Sequence, residues 1–110
     1  MTNDQSHQLM NQAQLYQQQI HGILMQKENL NLQMTEINNA LDELTKSKEK
    51  DIYKISGPLL IKSAREDVKK DLEEKKELIS LKLKTLDKSE QKIKGKIDEL
   101  REKLTKPSAG

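Results

Sequence analysis

Two stretches of this chain repeat apolar residues at alternating steps of four and three, and no other feature of the sequence restricts the fold as much. The first series runs Leu9, Ala13, Tyr16, Ile20, Ile23, Lys27, Leu30, Met34, Ile37, Leu41 and Leu44, with ten of its eleven positions apolar. The second runs Leu72, Lys76, Ile79, Leu83, Leu86, Glu90, Ile93, Ile97, Leu100 and Leu104. A repeat near 3.5 residues draws the narrow seam of a coiled coil, not the broad apolar face of a globular helix. Composition agrees, because 33% hydrophobic and 35% charged residues, with two tyrosines as the only aromatics, cannot fill a thick core.

Between the two arms the pattern changes. Asp51 to Lys62 reads DIYKISGPLLIK, with Ile52, Tyr53, Ile55, Leu59, Leu60 and Ile61 as strand formers around a Gly57-Pro58 break. Tyr53 and Ile55 alternate with Lys54, while Leu59 to Ile61 are continuously apolar, so both faces of the hairpin carry apolar side chains. A lone two-stranded hairpin is marginal in water and leaves its edges unpaired. Such a pair normally joins a larger sheet or barrel, and since no further strand is evident here, the missing strands come from other chains. The alternative is a hairpin that only caps its own coiled coil.

The expected architecture is mostly α: one domain over 1–110, with helix at about 5–47, hairpin at about 51–62, helix at about 64–105 and a frayed tail at 106–110 after Pro107. Ser63 and Glu66 have the spacing of a capping box for the second helix. Glu66/Lys70, Asp71/Lys75, Glu90/Lys94 and Glu99/Lys103 are ordered favourably for i,i+4 pairing. Each arm of roughly 40 residues is a rod of about 60 Å, and the hairpin reverses the chain so that the arms pack antiparallel. Setting Leu44 opposite Leu72 brings Lys27, the one polar seam residue of the first arm, near Glu90. The two either meet as a charge pair that fixes register at some cost in stability, or snorkel outward separately.

Charge and residue types exclude several functions. Residues 1–50 hold four Lys against six acids, and residues 51–110 hold sixteen Lys or Arg against twelve acids, for a net +2 overall. The basic excess is interleaved with acids, so no single-sign face for a phosphate backbone emerges. Without cysteine there is neither a disulfide nor a thiolate metal site. No apolar run approaches a membrane span, and the polar start MTNDQSHQ has no signal-peptide core, which makes the cytoplasm the expected location. His7 and His21 lie about 21 Å apart along a helix and cannot share a metal within one chain. The glycines form no phosphate-cradling loop and the carboxylates are scattered, so neither an enzyme nor a cofactor site is expected.

One segment of the first arm stands apart. Gln5 to Gln26 contains no Asp, Glu, Lys or Arg, and eight of its residues are Gln. Met10, Leu15, Leu24 and Met25 lie off the seam there. Apolar side chains on such a flank either form an adaptable binding surface or pack on a third helix.

Two long antiparallel helices joined by IYKISGPLLIK resemble a beta-type prefoldin subunit. The family's hairpin reads approximately as an aliphatic residue, Tyr-Lys, two variable residues, Gly, then an aliphatic run ending in Lys. Here that is Ile52, Tyr53, Lys54, Gly57, Leu59, Leu60, Ile61 and Lys62. The likeness extends over nearly the whole chain, including YQQQ at Tyr16 to Gln19, and its single hairpin fits the beta class. The short tail and Gln-rich first arm look archaeal. The resemblance implies an ATP-independent chaperone: hairpins of two alpha-type and four beta-type subunits form an intersubunit β-barrel platform. The distal coiled-coil ends would hold unfolded proteins and pass them to a group II chaperonin. By position, the implied client-binding residues are Leu9, Met10, Ala13, Leu15, Leu100 and Leu104. The implied oligomerisation residues are Ile52, Tyr53, Ile55, Gly57, Leu59, Leu60 and Ile61. Against this stand a structural coiled-coil homodimer or scaffold without clients, and a helical hairpin that binds nucleic acid.

Overall fold

The computed structural model describes residues 3–105. The element order is α1 (Asn3–Lys46), β1 (Asp51–Ser56), β2 (Leu59–Ala64) and α2 (Arg65–Thr105). The expected tail at 106–110, with Pro107, lies outside the described residues.

The chain divides into two units, one of residues 1–28 with 84–110 and the other of residues 29–83. In the first, contacts order the helices antiparallel. Lys27 of α1 meets Glu90 of α2, Lys96 lies 5.8 Å from the Tyr16 ring centroid, and Ala13 shares a groove with Leu104. Partner numbers rise as α1 numbers fall. The core of this unit is thin, with Ile23 and Leu100 buried among half-buried seam neighbours. In the second unit the corresponding buried residues are Leu44 and Ile79, and Leu44 and Leu72 line one groove, as the expected register requires.

All eleven α1 seam positions are buried or half-buried. In α2 two seam positions depart from the pattern: Lys76 and Leu104 are exposed. Lys76 carries its charge to water, as a lysine on a half-covered seam can by extending its stem along the helix.

β1 and β2 pair antiparallel from Asp51↔Ala64 to Ser56↔Leu59. The connection is Gly57-Pro58, with Gly57 at φ 58°. Positive φ at the first central position, followed by a proline that holds φ negative, is the type II′ arrangement whose twist matches that of the strands.

The start of α2 differs from the sequence expectation. Ser63 does not cap it, because the ladder continues through Ser63↔Ile52 to Ala64 and the helix begins at Arg65. The Arg65 N–H instead donates to the Lys50 carbonyl at 2.9 Å, so the sheet ladder runs directly into the first helical turn. Among the four anticipated i,i+4 pairs, Glu90/Lys94 closes at 3.0 Å. Asp71 turns instead to Lys54 of the hairpin, at 3.7 Å.

An added Cβ meets nothing within 4 Å at either Gly57 or Gly95, so backbone conformation alone decides the effect of alanine there. Gly57→Ala forces a side chain into the left-handed region and should lose about 1 kcal/mol. Gly95→Ala, inside α2, should gain about 0.5–1 kcal/mol. Urea midpoints at fixed protein concentration should therefore move in opposite directions for the two variants.

Candidate functional site

The hairpin is built of β-branched, aromatic and aliphatic residues, and its register sorts them onto two faces. Ile52, Lys54 and Ser56 share one face with Ser63, Ile61 and Leu59. Ile52 and Ser63 are its half-covered members, and Lys54 reaches Asp71 of α2, so this face lies toward the helices. A groove beneath it is lined by Ala40, Leu44, Ile52, Val68 and Leu72. The opposite face carries Tyr53, Ile55 and Leu60, exposed at 61%, 77% and 65%. Lys62 beside them reaches Asp51 at 3.4 Å, at the base of the strands.

The same register decides which backbone groups lack partners. Arg65 and Lys50 form a hydrogen-bonded pair, so the alternation of an antiparallel ladder makes Asp51↔Ala64, Tyr53↔Lys62 and Ile55↔Leu60 the non-hydrogen-bonded pairs. The N–H and C=O groups of these six residues point outward along the two edges. Their side chains are those of the exposed apolar face. The seven hairpin residues expected from the sequence therefore lie together, and six of them, all but Gly57, place apolar side chains on a two-stranded sheet with open edges.

The six expected client-contact residues fall in the other unit. Met10 is exposed at 56% and Leu15 is similarly exposed, while Leu9 and Ala13 are half-buried. Leu104 is exposed and forms a shallow groove with Met10 and Ala13. Leu100 must be reassigned for the closed pair: only 5% exposed, it is a packing residue of the core, because its seam position faces α1. Leu24 and Met25 are exposed as well, so among the described residues no third helix covers the flank.

In the same unit, the polar seam residues meet. The Lys27 ammonium donates to Glu90 Oε2 at 2.8 Å and lies 2.6 Å from Asp87 Oδ1, and Lys94 approaches Glu90 Oε1 at 3.0 Å. Asp87 was not anticipated. Its place three residues before Glu90 puts it on the same side of α2, a spacing that could have disclosed it. The hydrogen bond to Asp87, then that to Glu90, holds the Lys27 ammonium protonated above its ordinary value of 10.5. Hydrogen bonds from Lys27 and then Lys94 hold the Glu90 carboxyl below its ordinary value of 4.5. The Glu90 contribution is present above its unfolded pKa and fades as pH falls through its lowered folded value. The Lys27 contribution is present below pH 10.5 and fades as pH rises through its raised folded value.

This fold matches known proteins along most of its length. A family profile described as "Prefoldin subunit" matches residues 7–108. The prefoldin beta subunit of Pyrococcus furiosus is 36% identical over 107 residues, covering 93% of this chain and 92% of that protein. The beta subunit of Thermococcus onnurineus is 34% identical over 106 residues, covering 93% and 91%. The crystal structure of the prefoldin beta subunit from Thermococcus strain KS-1 superposes with a TM-score of 0.84 at 30% identity, covering 94% of each chain. The chain belongs to the prefoldin family. Within it, the single hairpin and these relatives identify a subunit of the beta type.

Replacing one member of the charge cluster should cost more than replacing the pair. Lys27→Met leaves Glu90 in the seam without its main partner and should lower the thermal midpoint by several degrees. Lys27→Met with Glu90→Leu makes the seam continuously apolar and should restore or exceed the original midpoint. In the unchanged protein the midpoint should fall on acidification below pH 4.5, and Glu90→Gln should flatten that dependence.

Proposed function

We propose that this chain is one subunit of an ATP-independent holdase. In this reading its hairpin joins alpha-type prefoldin subunits and further beta-type copies in a β-barrel platform, within a hexamer of two alpha and four beta chains. The distal helix ends hold non-native proteins in the cytoplasm and pass them to a group II chaperonin. The reading involves no catalysis, and holding an unfolded chain requires no nucleotide.

The observation that carries the reading is the exposed face of Tyr53, Ile55 and Leu60, set on a two-stranded sheet whose edge groups are unpaired. A face of that kind is stable when other strands extend the sheet and cover it. Membership of the prefoldin family supplies the partners for which this reading is written. At the other unit, Leu9, Met10, Ala13, Leu15 and Leu104 offer apolar contacts without unfolding, and Leu100 joins them when the helix ends open. Weak contacts repeated on several arms gain strength through effective concentration.

Native mass measurement of the chain, alone and mixed with an alpha-type subunit, tests the assembly. A mixed hexamer is expected, and Ile55→Lys with Leu60→Lys should dissolve it while leaving helix content intact. A homodimer that ignores the alpha-type chain would establish a structural coiled coil instead. Removing residues 1–12 and 103–110 should abolish suppression of client aggregation and leave the mass of the assembly otherwise unchanged. Loss of assembly on that truncation would place the two functions at the wrong ends.

A further inference from the structure

Among the described residues, two glycines lie inside helices, Gly22 in α1 and Gly95 in α2. They are far apart in the chain, yet the antiparallel alignment brings them level. Gly22 stands five residues before Lys27 and Gly95 five residues after Glu90, and Lys27 meets Glu90 at 2.8 Å. Because the helices run in opposite directions, both glycines lie about 7.5 Å beyond that ion pair, toward the start of α1 and the end of α2. Ala13 and Leu104, which share a groove, keep the same alignment. A slip of one heptad would part the glycines by about 10 Å.

Neither glycine is required by packing or by backbone geometry. A Cβ added at either meets nothing within 4 Å, and neither has a positive φ. What glycine does at such a place is weaken the helix, because its backbone gains the most freedom on leaving the helical state. Ile20 and Ile23 flank Gly22, and Ile93 and Ile97 flank Gly95. These β-branched residues favour a helix less than leucine does. All four nevertheless lie on the seam, buried or half-buried. At this level the apolar seam is continuous while both helical backbones are weak. Side-chain contacts bracket it: Lys27, Asp87, Glu90 and Lys94 on one side, and Lys96 against the Tyr16 ring on the other.

We infer that Gly22 and Gly95 form a joint, where the backbone hydrogen bonds of both helices open together while the isoleucines keep the pair associated. The part beyond it, residues 3–21 of α1 with 96–105 of α2, then changes direction without unzipping the seam. Neither α1 nor α2 contains a proline, which leaves glycine as the cause of bending written into the sequence. The ion cluster completes the device, since the alignment it favours is the one that sets the glycines level. The joint belongs to the helix pair itself and stands whether or not the chain is a holdase.

Protection factors from amide exchange of the full chain separate a joint from simple fraying. Fraying lowers protection steadily from Ile23 to the start of α1 and from Ile93 to the end of α2. A joint gives a local minimum instead. The amides of Gly22 to Leu24 should be about tenfold less protected than those of Ala13 to Tyr16 on one side and Leu30 to Met34 on the other. Those of Gly95 to Ile97 should match them. Gly22→Ala alone should raise protection about fivefold around Gly95 as well as around itself, because the two helices open together. Space is free at both glycines, so the alanine variants should fold. Asn31→Ala, a comparable gain in helix propensity at an exposed position away from the joint, should leave protection around Gly95 unchanged.

Protection that falls steadily toward both ends, with no recovery at Ala13 to Tyr16, would overturn the inference. A rise confined to α1 in Gly22→Ala would do the same, since it would mean two independent weak points. An equal rise around Gly95 in Asn31→Ala would trace the effect to overall stability and would also reject the joint. A changed native mass in Gly22→Ala would reject it as well, because the glycine would then serve close approach by another chain.

Discussion

A hairpin of two strands satisfies half of its backbone groups and covers at most one of its faces. In this chain the covered face carries Ile52 and Lys54, the second tied to α2 through Asp71. The other face carries Tyr53, Ile55 and Leu60 in water, above the outward-pointing N–H and C=O groups of the same residues. Side-chain burial and backbone pairing are therefore incomplete at the same positions. One event, the addition of strands from elsewhere, completes both. The helices do not supply those strands, because Arg65 starts α2 directly from the ladder and α1 ends at Lys46.

The seam shows a related compromise between stability and specificity. A stripe this narrow buries few residues deeply, and a wholly apolar stripe would tolerate sliding by whole heptads. Lys27 interrupts it on α1 and Glu90 on α2, and the two meet at 2.8 Å with Asp87 and Lys94 alongside. A shift by one heptad would take Lys27 away from Glu90 and Asp87 and leave Glu90 in the seam with only Lys94 of its own helix beside it. The cluster thus gives one alignment an advantage that the leucines and isoleucines alone do not. Alignment also decides which residues of α1 and α2 meet at the groove of Met10 and Leu104.

Much of this was legible in the residues. Every position that the 4-3 spacing marks on α1 is buried or half-buried, since a helix that covers one narrow stripe repeats with that period. The break at Gly57-Pro58 located the turn. The charge pair was legible as a possibility, and packing had to choose between pairing and snorkelling. Other features were hidden for physical reasons. Ser63 looked like a cap because its spacing to Glu66 is local, whereas strand pairing with Ile52 is decided across the turn. Leu100 belongs both to the seam and to the helix end, and in the closed pair the seam position prevails because it faces α1. Leu32 and Leu78 are exposed off the seam, and nothing among the described residues explains them.

The central claim is that the hairpin is an unfinished sheet completed by other subunits, and amide hydrogen exchange reads this residue by residue. In the isolated chain the outward amides of Tyr53, Ile55, Leu60 and Lys62 should exchange faster than those of Ile52, Lys54, Ile61 and Ser63. On mixing with an alpha-type subunit, the first group should slow to match the second as the edges gain partners. Unchanged exchange at Tyr53, Ile55, Leu60 and Lys62 in a mixture that has assembled would contradict the account, because the subunits would then be held together by some other part of the chain.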